Sequence, residues 1–311
     1  MNVGIFLNYI GLGANLLHLS YCHEIAKKYG PVTIVTLCRS LDQALEDDPN
    51  IKEVVLIKKN KKITDIPNMS INLKKLLLNK IFIFYSSPRL FLAAKLAGIK
   101  EIYNYPLFKK KNLHLVNAAK KFTCEILNIN FCPTETKFFV NKEKIDNAKK
   151  IFKEGQYNII IGAGSSGPDT RWGENNFITL INRLNESGNY FFYIQCGPEQ
   201  NEISKNIINN VKKKNCMDLS NMNIREIIPI LYLCDMYVGN DSFPHHITSQ
   251  CNKPSIVMLL NSPKAYSDYS INHHRIIPDN AKIENLDHSS KYNADSISVE
   301  KVFNKIIEIK N

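Results

Sequence analysis

Short runs of β-branched and aliphatic residues alternate with helical patterns along this chain, and the alternation runs through twice. Val3–Leu7 reads as a strand and 14–28 as a helix. Strands at 32–37 and 53–57 flank a helix at 40–46. Strands at 81–85 and 101–105 flank a helix at 88–96, and 113–127 is helical. The pattern restarts at Asn158. Strands are expected at 158–161, 190–195, 236–238 and 255–260. Helices are expected at 176–184, 200–211, 223–234, 245–250 and 299–309. Repeated strand–helix–strand units demand parallel sheets with helices on their faces. The expected fold class is therefore α/β, two Rossmann-like domains whose parallel sheets face a central cleft. Residues 133–142 look like the junction. The domains are 1–150 and 151–295, and a terminal helix, 296–311, is placed as packing back on the first domain.

A chain of 311 residues, 44% hydrophobic, is long enough for two such cores. No apolar run approaches the ~20 residues of a membrane span. Met1 to Leu7 has neither a basic leader nor a cleavage site, so a cytoplasmic protein is expected. The eight cysteines are scattered without CxxC spacing and read as reduced, buried thiols. His245-His246 and His273-His274 are adjacent pairs. Neighbouring side chains diverge on a helix or strand, so no chelating face and no metal site are expected.

The net charge of +11 is uneven. Residues 1–150 hold 24 Lys+Arg against 12 Asp+Glu, +12; residues 151–311 hold 16 against 17, −1. Clusters stand at Lys58-Lys59-Asn60-Lys61-Lys62 and Lys109-Lys110-Lys111. Two readings compete evenly: a solvated surface, or a first domain that meets an anionic glycan, glycolipid or membrane surface. Nucleic acid is disfavoured, because the basic residues are not interleaved with aromatics.

Four segments carry polar residues where strands are expected to end. Gly11-Leu12-Gly13-Ala14-Asn15 follows the first strand. A glycine turn before a helix favours anions, yet the third glycine and the acid of a dinucleotide site are missing. Gly162-Ala163-Gly164-Ser165-Ser166, followed by Arg171-Trp172, offers N–H groups, hydroxyls and a guanidinium for a diphosphate. Trp172 reads mainly as packing. Gly197-Pro198-Glu199 places an acid where ribose hydroxyls could meet it, or where it is merely a solvated turn. Asp241-Ser242-Phe243-Pro244-His245-His246 reads as a ligand site or as a helix cap.

Taken in order, these segments resemble glycosyltransferase family nine, the bacterial lipopolysaccharide heptosyltransferases of GT-B architecture. The match runs from Gly162-Ala163-Gly164-Ser165 through Arg171-Trp172, Gly197-Pro198-Glu199, and Asp241-Ser242 with His246, to Lys253-Pro254. Phe243 stands where the family has glycine. The resemblance implies inverting, metal-independent transfer of a sugar, heptose by analogy, from a nucleotide-diphosphate donor such as ADP-heptose to a glycan or glycolipid hydroxyl. It requires no cofactor. It puts Gly162, Gly164, Ser165, Ser166, Arg171, Gly197, Glu199, Asp241, Ser242 and His246 at the donor. In the family an acid after the first glycine turn is the general base, and here that position is Ala14. Asn15 and His18 are its neighbours. Three explanations stand: the acid was removed by engineering, leaving an inactivated variant, His18 or Glu24 does its work, or transfer activity has been lost. The implied setting is cytoplasmic, with peripheral contact at the inner membrane face. The alternative is a nucleotide-sugar-binding protein that has lost the base.

Overall fold

Every strand pairing is parallel, and the strands form two sheets in two separate units, Met1–Phe139 and Val140–Asn311. The computed structural model describes residues 1–58, 62–105 and 114–311. Lys59, Asn60 and Lys61 of the first basic cluster, and the whole Lys109-Lys110-Lys111 cluster, lie outside the described residues.

The first unit runs β1 (Val3–Leu7), α1 (Leu12–Leu16), α2 (Leu19–Tyr29), β2 (Val32–Thr36), α3 (Leu41–Ala44) and β3 (Ile51–Leu56). It continues through α4 (Ile66–Lys75), β4 (Lys80–Ile83), α5 (Pro88–Leu96), β5 (Glu101–Asn104) and α6 (Leu115–Leu127). The sheet order is β3-β2-β1-β4-β5. β1, β2 and β4 are buried along their whole length, which is why they read as unbroken apolar runs. α4 and α5 cover one face. Ile66, Met69 and Leu73 of α4, and Leu90, Ala93 and Ala94 of α5, join Phe6, Ile81 and Ile83 in one core.

The single helix expected over 14–28 is two helices. His18 Nδ1 donates to Ala14 O at 2.7 Å, occupying the carbonyl that the His18 amide would take in a continuous helix. That amide bonds Asn15 O instead, at 2.9 Å. A side chain competing for a main-chain acceptor therefore breaks the helix. α4 is absent from the sequence reading. Pro67, Asn68, Ser70 and Asn72 hide it, and tertiary packing of its apolar positions overrides that low propensity.

The second unit runs α7 (Lys142–Lys149), β6 (Tyr157–Gly162), α8 (Glu174–Ser187), β7 (Tyr190–Gln195), α9 (Asn201–Asn210) and β8 (Cys216–Asp218). It continues through α10 (Ile224–Leu233), β9 (Met236–Asn240), α11 (Phe243–Gln250), β10 (Ser255–Met258), β11 (His273–Ile276) and α12 (Val299–Lys310). The sheet order is β11-β10-β9-β6-β7-β8. α7, β8 and β11 are further elements without a clear sequence signal; β11, His-His-Arg-Ile, is held by its pairing to β10. The terminal helix does not pack as expected. Val302 and Ile306 of α12 are buried with Leu180, Leu184 and Trp172 in the core of the second unit, and Arg183 pairs with Glu300. Its amphipathic stripe finds that partner in α8, which the sequence pattern could not specify.

Candidate active site

In an open α/β sheet, ligands bind at the carboxyl ends of the strands, where the chain order reverses. In the second unit that point lies between β9 and β6, which pair side by side. The loop after β6 carries Gly164 through Arg171, and the turn after β9 with the start of α11 carries Asp241 through His246. The expected donor segments therefore converge in one place.

What ties them is Asn240, which the sequence reading passed over. Its Nδ2 donates to Ala163 O and its Oδ1 accepts from the Trp172 amide, at 2.7 and 2.8 Å. It is fully buried. Trp172 is buried too, and its Nε1 donates to Ile297 O at 2.8 Å, so its role is packing, as expected. A second tie joins the β6 and β7 loops. Gln200 Nε2 donates to Ser165 O at 2.7 Å, and Gln200 Oε1 accepts from the Ser165 amide at 3.2 Å. A Cβ on Gly164 would lie 2.6 Å from that Oε1 and 3.0 Å from Cys196 Cα, so only glycine permits the approach.

The expected donor residues sort into two sets. Gly162 pairs with Gly239 across the strands. A Cβ on Gly162 would lie 2.0 Å from the Tyr237 hydroxyl, which donates to Asn240 O at 2.7 Å. Gly162 thus makes room for a core tyrosine. The Ser165 hydroxyl is held inside its own loop, donating to Gly167 O at 2.8 Å and lying 2.8 Å from Thr170 Oγ1. Ser166 and Glu199 are exposed at the strand ends, and a Cβ on Gly197 would touch nothing. Arg171 is half-buried. Its Nε is buried with no partner among the described residues. Ser242 begins α11 without a side-chain capping bond, and Pro244 in that first turn has no N–H to offer.

Asp241, His245 and His246 correct the expectation about adjacent histidines. Both rings turn toward Asp241, with centroids 3.8 Å apart. His245 Nε2 lies 2.9 Å from Asp241 Oδ1 and His246 Nε2 4.0 Å. The divergence rule fails because the carboxylate stands just before the helix, above both side chains. These three have donor atoms all within 4.8 Å, close enough to hold a metal ion. The His245–Asp241 hydrogen bond already satisfies that pair without one. Burial lowers the pKa of His245 to about 3 and that of His246 well below its ordinary value, so both are neutral at pH 7. Burial also raises the Asp241 pKa. His246 Nδ1 is 2.5 Å from the Tyr269 hydroxyl. The other pair does diverge: His273 is buried and His274 half-buried.

In the first unit the order reverses between β1 and β4. Tyr9, Gly11, Gly13 and Ala14 follow β1. Asn15 does not face a ligand. Its Nδ2 donates to Tyr9 O and Gly11 O at 3.1 and 2.7 Å, and its Oδ1 accepts from Thr36 Oγ1 at 2.8 Å. It is the pin of the turn. His18 is fully buried, stacked on Tyr9 at 4.8 Å, and desolvation pulls its pKa down to about 4. An imidazole that binds protons so weakly is a poor base for a hydroxyl. Glu24 pairs with Lys27 in α2. Ala14 itself is half-buried. Tyr9 and the partly exposed Tyr85 meet edge-on at 6.5 Å here, a contact between two strand-end loops that no sequence pattern announces.

Two doubly wound parallel sheets, with the polar residues of the second gathered at its reversal point, define a class of α/β protein whose ligands bind at the carboxyl ends of the strands. Residues 92–289 match the model of glycosyltransferase family 9 (heptosyltransferase), and the chain belongs to that family. It is 24% identical over 200 residues to lipopolysaccharide heptosyltransferase 1 of Campylobacter coli. That match covers 61% of this chain and 58% of the relative. Among solved structures, the family 9 glycosyl transferase of Veillonella parvula matches with a TM-score of 0.78 at 15% identity, covering 100% of this chain and 97% of that one. E. coli heptosyltransferase WaaC with ADP-2-deoxy-2-fluoro heptose matches with a TM-score of 0.70 at 13% identity, covering 100% of both. At such identities these likenesses speak for the fold. No described helix is long and apolar enough to cross a membrane.

Proposed function

We propose that this chain transfers a sugar, heptose by analogy with its relatives, from a nucleoside-diphosphate donor to a hydroxyl of an anionic glycan or glycolipid, with inversion and without a metal ion. Its second unit would hold the donor and its basic first unit the acceptor. The observation that carries this reading is Arg171, whose buried Nε has no partner among the described residues, at the reversal point of the second sheet. A buried, unpaired guanidinium N–H is costly unless an anion completes it.

The acceptor oxygen would attack the anomeric carbon while the bond to the diphosphate breaks, and its hydroxyl proton would pass to solvent, because position 14 carries no carboxylate. Negative charge then grows on the leaving group. Arg171, the main-chain N–H of Ser166 and the start of α11 are the groups to stabilise it; the N–H groups of Gly164 and Ser165 already donate to Gln195 O and Gln200 Oε1. Asp241 would accept from a sugar hydroxyl, and Glu199 from the ribose. The neutral His246 would contribute hydrogen bonding and shape rather than charge.

A second reading, a nucleotide-sugar-binding protein without transfer, is favoured by one observation. Ala14 supplies no base, Asn15 is committed to the turn, and His18, held there through Nδ1, is too weakly basic to replace it. Donor consumption in the presence of acceptor separates the two.

Arg171→Ala is expected to weaken donor binding by about ten- to a hundredfold, the loss of a charge-assisted contact of ~1.5–3 kcal/mol. Calorimetric titration of ADP and an ADP-sugar into both proteins checks this. An unchanged dissociation constant removes Arg171 from the donor site and this reading with it.

A further inference from the structure

Residues 66–100 contain six Lys+Arg and no Asp or Glu. They include α4 and α5, which lie side by side over one face of the first sheet. Their inward positions are filled by the core, and their outward positions are unusual. Ile71 on α4 is 55% exposed, and Leu92 and Leu96 on α5 are 43% and 59% exposed. Leu92 and Leu96 are one helical turn apart and so share a face. Lys74, Lys75 and Lys95 are exposed around them, toward the carboxyl ends of both helices.

Lysines in a last helical turn complement the helix dipole, which accounts for some basic residues there. It does not account for large aliphatic side chains in water between them, nor for the absence of a single acid over 35 residues. Protruding aliphatic residues ringed by lysines are the composition of a surface that sits on an anionic bilayer. The aliphatic tips enter the headgroup boundary, and the lysines extend along it toward lipid phosphates. A second copy of this chain is a poor occupant, because the face would meet its own like charge. We infer that the outer face of α4 and α5 is a membrane-docking surface for anionic lipid. The two helices end at the amino-terminal edge of the sheet, so docking there leaves the Gly11–Ala14 turn, at the opposite edge, uncovered.

The test is flotation of the full chain with phosphatidylcholine vesicles and with vesicles containing about one third phosphatidylglycerol. It uses neither donor nor turnover, so its outcome is independent of the proposed transfer reaction. The unaltered protein should float with the anionic vesicles only, and less so in high salt. Lys74→Gln/Lys75→Gln/Lys95→Gln should reduce partitioning by about a hundredfold, three surface charges at about fivefold each. Ile71→Gln/Leu92→Gln/Leu96→Gln should reduce it by at least about tenfold, which a purely electrostatic contact would not. Leu92→Trp supplies a readout should the triple variants unfold. The one native tryptophan is buried, so a blue shift on adding anionic vesicles reports residue 92 entering the interface. Absence of flotation, flotation unaffected by either triple variant, or a Leu92→Trp spectrum unchanged by bound vesicles overturns the inference. So does a dimer of the unaltered chain in sedimentation velocity that the Gln variants dissociate.

Discussion

Ala14→Asp is expected to raise sugar transfer by about 10²–10⁴-fold, the usual contribution of a positioned general base. The turn around this position is intact. Gly11 and Gly13 are present, α1 begins at Leu12, and Asn15 ties the turn to β1 and to Thr36. A carboxylate at the half-buried position 14 would sit at the carboxyl end of the first sheet without displacing any of these bonds. The structure makes the contrast with Asn15→Asp sharper than residue spacing does. Asn15 donates two hydrogen bonds through Nδ2, and a carboxylate can donate neither. Asn15→Asp would set negative charge against the carbonyls of Tyr9 and Gly11, loosening the turn by about 1–3 kcal/mol without restoring a base. Steady-state transfer rates of the two variants, with urea unfolding of each, give the comparison. A chain that already turns over rapidly and is indifferent to Ala14→Asp draws its base from elsewhere. His18, with a pKa near 4, is then a weak candidate. Donor affinity should be the same in all three proteins, because residue 14 belongs to the first unit.

Asn240→Ala should cost about 2–6 kcal/mol of stability and most of the donor affinity. The side chain holds Ala163 O and the Trp172 amide at once, in a site from which water is excluded. Removing it leaves a buried acceptor and a buried donor unpaired, and each such loss typically costs ~1–3 kcal/mol. It also frees the loop that carries Gly164, Ser166 and Arg171, so their alignment on a diphosphate would be lost with it. Asn240→Asp is the informative companion. It keeps the acceptor for the Trp172 amide but sets a buried carboxylate against Ala163 O, so it should be at least as damaging as Asn240→Ala. Chemical unfolding and ADP titration measure the two effects separately. A stable Asn240→Ala protein with unaltered ADP binding would show that the loop is held by Gln200 and Trp172 alone.

Much of the candidate donor site was legible in the sequence because its residues follow strands, and strands announce themselves. Gly164, Arg171 and Asp241 were singled out as residues at strand ends, and the fold brings them to one reversal point. Asn240, Gln200 and Tyr237 were not, though they set the geometry. An asparagine closing a strand and a glutamine opening a helix look like ordinary polar residues until their partners 77 and 35 positions away are known. Gly162 misled for the same reason, since a glycine cleared for a tyrosine and one cleared for a phosphate are identical in sequence. The adjacent histidines misled because the divergence rule treats two side chains on an ideal element, while here a carboxylate upstream of α11 gathers both.

By itself the sequence determined what is local or periodic: parallel α/β units in two rounds, a basic first half, and small and hydroxyl residues in the loops after strands. These follow from side-chain period, charge and residue chemistry, which need no neighbours to be defined. The tertiary structure alone decided which hydrogen bonds those residues make. It pinned Asn15 into the turn, lowered the basicity of His18 by burial, carried α12 onto the second unit, and left Arg171 Nε without a partner among the described residues. Each of these depends on desolvation and on contacts between segments far apart in the chain, quantities that exist only once the chain has closed around them.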